Sequence, residues 1–130
     1  MERLFTLAEA NALIPRLSRD FAALAQLRES GRQARDALTL LETKGRSNGK
    51  DLATKIRERQ DQLTQIDVEA NRIVENVVAI GCEIKDVDQG LVDFPSRRND
   101  RTVYLCWKIG ETTIGFWHEL TTGYQGRQPL

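Results

Sequence analysis

Residues 52–81 read LATKIRERQDQLTQIDVEANRIVENVVAIG, and the spacing of their apolar positions decides the fold. Leu52, Ile56, Leu63, Ile66, Ala70, Ile73, Val77 and Ile80 fall on one heptad seam, with Arg59 its single polar interruption. A stripe of that period is the face one helix offers another. Gly81 then stands where a helix end wants a left-handed residue. A helix over residues 50–80 is about 46 Å long at 1.5 Å per residue. A compact 130-residue globule has a radius of gyration of about 14 Å, so an elongated molecule is expected.

The partner stripe lies upstream. Leu7, Ala10, Ile14, Leu17, Phe21 and Leu24 step by three and four, and the stripe resumes at Leu27, Ala34, Leu38 and Leu41 after an extra three-residue step. Thr6 and Glu9 have the capping-box spacing, which starts a helix at Leu7. Pro15 lacks an N–H and should kink that helix or split off a short first segment. Residues 43–50 (TKGRSNGK) are rich in Gly, Ser and Asn and read as the mobile tip of a helical hairpin.

After Gly81 the period falls to two. Cys82 and Ile84, then Val92 and Phe94, suggest two short strands joined through Asp88-Gln89-Gly90. Residues 95–100 (PSRRND) read as a polar loop. Val103, Leu105, Trp107 and Ile109 alternate with Tyr104, Cys106 and Lys108. Ile114, Phe116, His118 and Leu120 alternate with Gly115, Trp117 and Glu119, giving a hairpin around Gly110-Glu111. Residues 121–130 read as a tail across the sheet. The expected architecture is α+β: one domain over 1–130, with a long antiparallel, coiled-coil-like helical hairpin over 1–81, a small antiparallel sheet over 82–120 and the tail.

Composition narrows the function classes. Nineteen Lys and Arg balance nineteen Asp and Glu, so no net field draws the chain to nucleic acid or anionic lipid. No apolar run approaches the roughly 20 residues of a membrane span. Two cysteines without an export signal read as reduced thiols, so a cytoplasmic protein is expected.

Five motifs in order carry a family resemblance: TLAEAN at 6–11, GLVDFPS at 90–96, VYLCWKIGE at 103–111, WHE at 117–119 and GRQPL at 126–130. Together they resemble the bacterial family known as domain of unknown function 2203, with Ala8 departing from an expected acidic residue. The resemblance bears on shape and supplies no catalytic residue.

Candidate sites therefore rest on residue chemistry. Strand parity turns His118 toward the core with Ile114, Phe116 and Leu120, as a buried neutral ring, and no metal or cofactor is expected. The same parity turns Asp93, Tyr104, Lys108, Trp117 and Glu119 outward, where aromatics would supply contact area and charges orientation. Arg97, Arg98 and Arg101 could grip a carboxylate or phosphate. Arg127 could stack on Trp117 from the tail, unless a partner covers that ring. Val74 and Val78 widen the apolar surface beyond one seam, which favours a homodimer. The leading expectation is a nonenzymatic interaction or assembly module that self-associates, with no membrane or nucleic-acid partner and room for an unidentified protein partner. The alternative is a protein or enzyme that binds a small anionic molecule on the outward sheet face. There Asp93 or Glu119 would serve as acid or base, Tyr104 and Trp117 as walls, and the arginines as anion holders.

Overall fold

A computed structural model describes residues 3–43 and 49–130. The elements are α1 (Leu7–Ala12), α2 (Ile14–Thr43), α3 (Gly49–Ala79), β1 (Glu83–Asp86), β2 (Leu91–Arg98), β3 (Arg101–Lys108), β4 (Phe116–His118), a 3₁₀ turn (Tyr124–Gly126) and β5 (Gln128–Pro129). The strands form one antiparallel sheet in chain order. The fold is α+β, with a long helix pair followed by a C-terminal sheet. Two compact units divide the chain: residues 1–22 with 75–130, and Ala23–Val74. No helix among the described residues is long and apolar enough to cross a membrane.

The helical signals act where the sequence places them. Glu9 N–H donates to the Thr6 hydroxyl at 3.1 Å, and Thr6 N–H to the Glu9 carboxylate at 2.8 Å, closing the capping box. Pro15 splits the helix: α1 ends at Ala12 and α2 restarts at Ile14, leaving Pro15 in a first turn where a missing N–H breaks no helical bond. In the Ala23–Val74 unit, the position skipped between Leu27 and Ala34 is the buried Gly31. A Cβ there would lie 3.8 Å from Ile66 Cγ2, an ordinary contact distance, so this position packs beside α3 without a need for glycine. The expected mobile tip lies largely outside the described residues.

In the unit formed by residues 1–22 and 75–130, one expected loop is strand. Residues 95–98 extend β2, and the turn shrinks to Asn99 (φ 50°) and Asp100 (φ 65°). Two consecutive left-handed residues match the twist of a two-residue hairpin, and Asn and Asp tolerate that conformation best among non-glycines. Pro95 is tolerated because β1 registers with β2 only over residues 91–93. Beyond that point Phe5 borders β2, its N–H donating to the Pro95 carbonyl at 2.7 Å and its carbonyl accepting from Ser96 Oγ at 2.6 Å.

Val92, Phe94, Val103, Leu105 and Trp107 are buried on the inner sheet face with Phe5, Leu17 and Phe21. Phe5 meets Phe94 edge-on at 5.2 Å between centroids, and Phe21 tilts against Trp107 at 6.0 Å. The expected parity of the last strand is inverted. Leu105↔Trp117 pairing puts Trp117 on the inner face, and Tyr104↔His118 and Cys106↔Phe116 put His118 and Phe116 on the outer one. The cause is the shortness of β4: residues 112–115 are not strand, so alternation counted from Ile114 does not carry through Gly115. Ile114 is buried on another footing, its N–H donating to Asn11 Oδ1 at 2.8 Å. Trp117 is only 6% exposed, with the guanidinium groups of Arg98 and Arg101 4.7 and 5.8 Å from its ring centroid. The tail also gains structure, since β5 pairs with β4 as the edge strand.

Gly90 holds φ +68°, and a Cβ there would fall 2.7 Å from Ile109 Cβ. Gly110 holds φ +98° but faces open space. Gly90→Ala should therefore lose at least about 2 kcal/mol in urea denaturation, from strain plus collision, and Gly110→Ala about 1 kcal/mol from strain alone. Equal losses would show that the Ile109 contact yields freely.

Candidate functional site

Three adjacent strands bring Asp93 (β2), Cys106 (β3) and His118 (β4) together on the outer face. Their side-chain oxygen, sulfur and nitrogen atoms lie within 4.8 Å of one another. All three residues are sealed, at 2, 1 and 1% exposure. They floor a cavity of about 270 Å³ roofed by residues 120–124 and walled by Lys85, Leu91 and Tyr104. Tyr104 O–H donates to Glu83 at 2.6 Å, its ring lies 5.4 Å from the imidazole, and Lys85, paired with Glu83 at 2.8 Å, sits over it.

Hydrogen-bond chemistry sets the protons on His118. Nδ1 lies 2.7 Å from the main-chain oxygen of Glu119, and a carbonyl only accepts, so Nδ1 carries the donated proton. Nε2 lies 3.0 Å from Asp93 Oδ1, and that contact needs one proton, held by the ring or by the carboxyl. Either way the pair is neutral as a whole. Burial raises the Asp93 carboxyl above the usual aspartate range, opposed by the imidazole beside it. Burial also pushes the Cys106 thiol up to about 11, reinforced by the Asp93 charge. Burial thus disfavours the anionic form of both groups, against the pull of His118 and Lys85 on Asp93 and of Arg127 on Cys106.

The other candidate residues separate from this cluster. Of the expected outward set, Asp93 and Tyr104 meet at the cavity. Asp93 is buried, because the chain after β4 folds over it. Lys108 shares the outer face but lies over Tyr124, 5.6 Å from its ring centroid. Trp117 is on the inner face, so it forms no wall here. Glu119 sends its carboxylate to Arg101 and only its main-chain oxygen to His118. Arg98 and Arg101 are drawn to Trp117, and Arg97 with Arg98 borders a separate cavity of about 420 Å³ beside Leu4, Phe5 and Leu130. That cavity is larger, but the one buried polar side chain in its lining, Ser96, is already bonded to Phe5. The arginines therefore do not converge with Asp93 and Tyr104. Arg127 stacks on Phe116 and Tyr124, at 4.3 and 4.7 Å, instead of on Trp117, and holds Glu111 at 2.7 and 2.9 Å.

Sequence reasoning missed His118 and Cys106 as partners of Asp93. One signal pointed to them: in the Trp117-His118 pair the indole is the more apolar side chain, and giving it the inner face turns the imidazole toward Asp93 and Cys106.

The chain belongs to the family described as uncharacterized conserved protein (DUF2203), whose model matches residues 3–130. No curated protein and no solved structure matches it.

The buried pair has a measurable signature. His118→Leu or Asp93→Leu alone strands a polar partner and should cost about 3 kcal/mol, whereas the double variant should cost clearly less than the sum of the singles. Strict additivity in urea unfolding would show that the 3.0 Å contact contributes no coupling.

Proposed function

We propose that this member of the DUF2203 family is a small-molecule-binding protein whose ligand occupies the outer-face cavity over Asp93, Cys106 and His118. One observation carries the reading: three buried polar side chains, drawn from three strands, converge on a cavity and not on the apolar core. Burying an aspartate–histidine pair is costly, and a well-packed apolar pair of similar volume often gives equal or greater stability. Packing supplies no motive for the pair, while a binding site does. The volume lies just under the roughly 300–1,000 Å³ of drug-sized pockets, which suits a smaller occupant. Leu91, Leu120 and Tyr124 offer apolar contact, and Lys85, Thr121 and Thr122 offer donors to an oxygen-rich group. The two buried free thiols accord with a reducing compartment, and we place the protein in the cytoplasm on that ground.

Ligand-observed NMR with a library of small polar molecules tests the cavity. Binders should be lost with Thr122→Trp, which fills the space, and retained with Arg97→Ala, which lies elsewhere. Binders indifferent to Thr122→Trp would move the site away from this cavity.

Self-association is a second reading, supported by apolar side chains left in solvent: Leu40 at 52%, Val68 at 47% and Val78 at 52% exposure. Sedimentation at micromolar concentration should then show a homodimer that Val68→Lys weakens. A monomer throughout removes this reading and leaves the cavity reading standing.

A further inference from the structure

We infer that Asp93, Cys106 and His118 form a binding site for one divalent transition-metal ion of the zinc type, with a fourth coordination position open to the cavity. Among the described residues, this trio is the group of three His, Cys, Asp or Glu side chains whose ligand atoms lie within 4.8 Å of one another. Its donor set is one imidazole nitrogen, one sulfur and one carboxylate oxygen. Thiolate and imidazole select zinc-like ions over magnesium or calcium, which prefer all-oxygen shells.

The histidine is already oriented for the task. Metal-binding imidazoles commonly donate their second N–H to a carbonyl or carboxylate, which fixes the tautomer and aims the other nitrogen. His118 Nδ1 does so to the Glu119 carbonyl at 2.7 Å, leaving Nε2 directed at Asp93 and the metal position. The three ligands stand on three adjacent paired strands, a rigid frame. Tetrahedral bonds of 2.0–2.3 Å set ligand separations of about 3.3–3.6 Å. The present spread, from 3.0 Å for nitrogen to oxygen up to 4.8 Å, reaches that range by small side-chain rotations.

Charge balance favours the exchange. Without metal, the Asp93–His118 pair holds one shared proton and Cys106 holds its own, so the cluster is neutral. A divalent ion displaces both protons to solvent and binds carboxylate, thiolate and neutral imidazole, and the cluster remains neutral. No net charge is buried, and the two anions that burial disfavours gain the cation that stabilises them. The Lys85 ammonium nearby is neutralised by Glu83. Three protein ligands leave one position for water or a bound molecule, as in catalytic rather than structural zinc sites. The ion uses the cavity of the preceding reading only as its access route and needs no small molecule to bind.

The test is titration of the unaltered chain with Co²⁺ under a phosphine reductant, followed by Zn²⁺ displacement. One equivalent should give tetrahedral d–d bands and a sulfur-to-cobalt charge-transfer band, both abolished by Zn²⁺. Cys106→Ser should remove the charge-transfer band, and His118→Gln should weaken binding at least tenfold, while Cys82→Ser, whose thiol donates to the Val77 carbonyl, changes nothing. Absence of the charge-transfer band in the unaltered chain, or its survival in Cys106→Ser, overturns the inference. Should Cys106→Ser fail to fold, X-ray absorption of the zinc-loaded chain decides instead: one sulfur in the shell supports the site and none overturns it. Failure here leaves the NMR result for small molecules intact, so the two readings fall separately.

Discussion

The pairing of β2 with β3 is the constraint from which the other placements follow. Asn99 and Asp100 reverse the chain within two residues, and the strands register from Arg98↔Arg101 to Leu91↔Lys108. Because side chains alternate, this register sends Val92, Phe94, Leu105 and Trp107 to one face and Asp93, Tyr104 and Cys106 to the other. A slip of one residue would exchange the two sets and bury a carboxyl among aromatic rings. The hydrophobic cost of that exchange pins the hairpin, and β1, β4 and β5 then add at its edges.

The two faces are coupled through Glu119. Its main-chain oxygen orients His118 on the outer face, and its carboxylate holds Arg101, which with Arg98 lies over Trp117. The position of one residue after β4 therefore bears on both the polar cluster and the packing of an inner-face indole. A second junction forms at Glu111, whose carboxylate accepts from the Lys108 N–H at 2.7 Å and from Arg127, and whose carbonyl accepts from Trp107 Nε1 at 2.9 Å. Arg127 also reaches the Cys106 carbonyl at 3.2 Å, which ties the C-terminal segment to the strand that carries the thiol. Charge-assisted bonds of this kind, with Arg127 and Glu111 largely shielded, fix geometry more firmly than exposed pairs.

Burial on the outer face is unusual in kind. The inner face is sealed by apolar contacts, whereas the outer face seals a carboxyl, a thiol and an imidazole under residues 120–124. Asp93 and His118 satisfy one another, which makes the burial tolerable without making it favourable over an apolar alternative. The tension between polar content and burial is the physical feature that separates this region from the rest of the protein.

Much of the architecture is legible in the sequence. The heptad seam of α3, the Thr6–Glu9 box, the break at Pro15 and the change of period after Gly81 are local signals, each set by hydrogen bonding or side-chain spacing within a few residues. The parity of β2 and β3 was equally legible, because both strands are long enough for alternation to repeat. The face of β4 was not: three residues after Gly115 hold too little alternation to be self-determining, and pairing with β3 decided that Trp117 faces inward and His118 outward. The extension of β2 through Pro95 was hidden for a similar reason, since the proline is acceptable only where β1 has ended and Phe5 takes its place. The cluster of Asp93, Cys106 and His118 joins residues separated by up to 25 positions, and no local spacing encodes their meeting. Sequence determined the elements through local energetics, while tertiary pairing, by assigning one short strand its register, decided which chemistry shares a face.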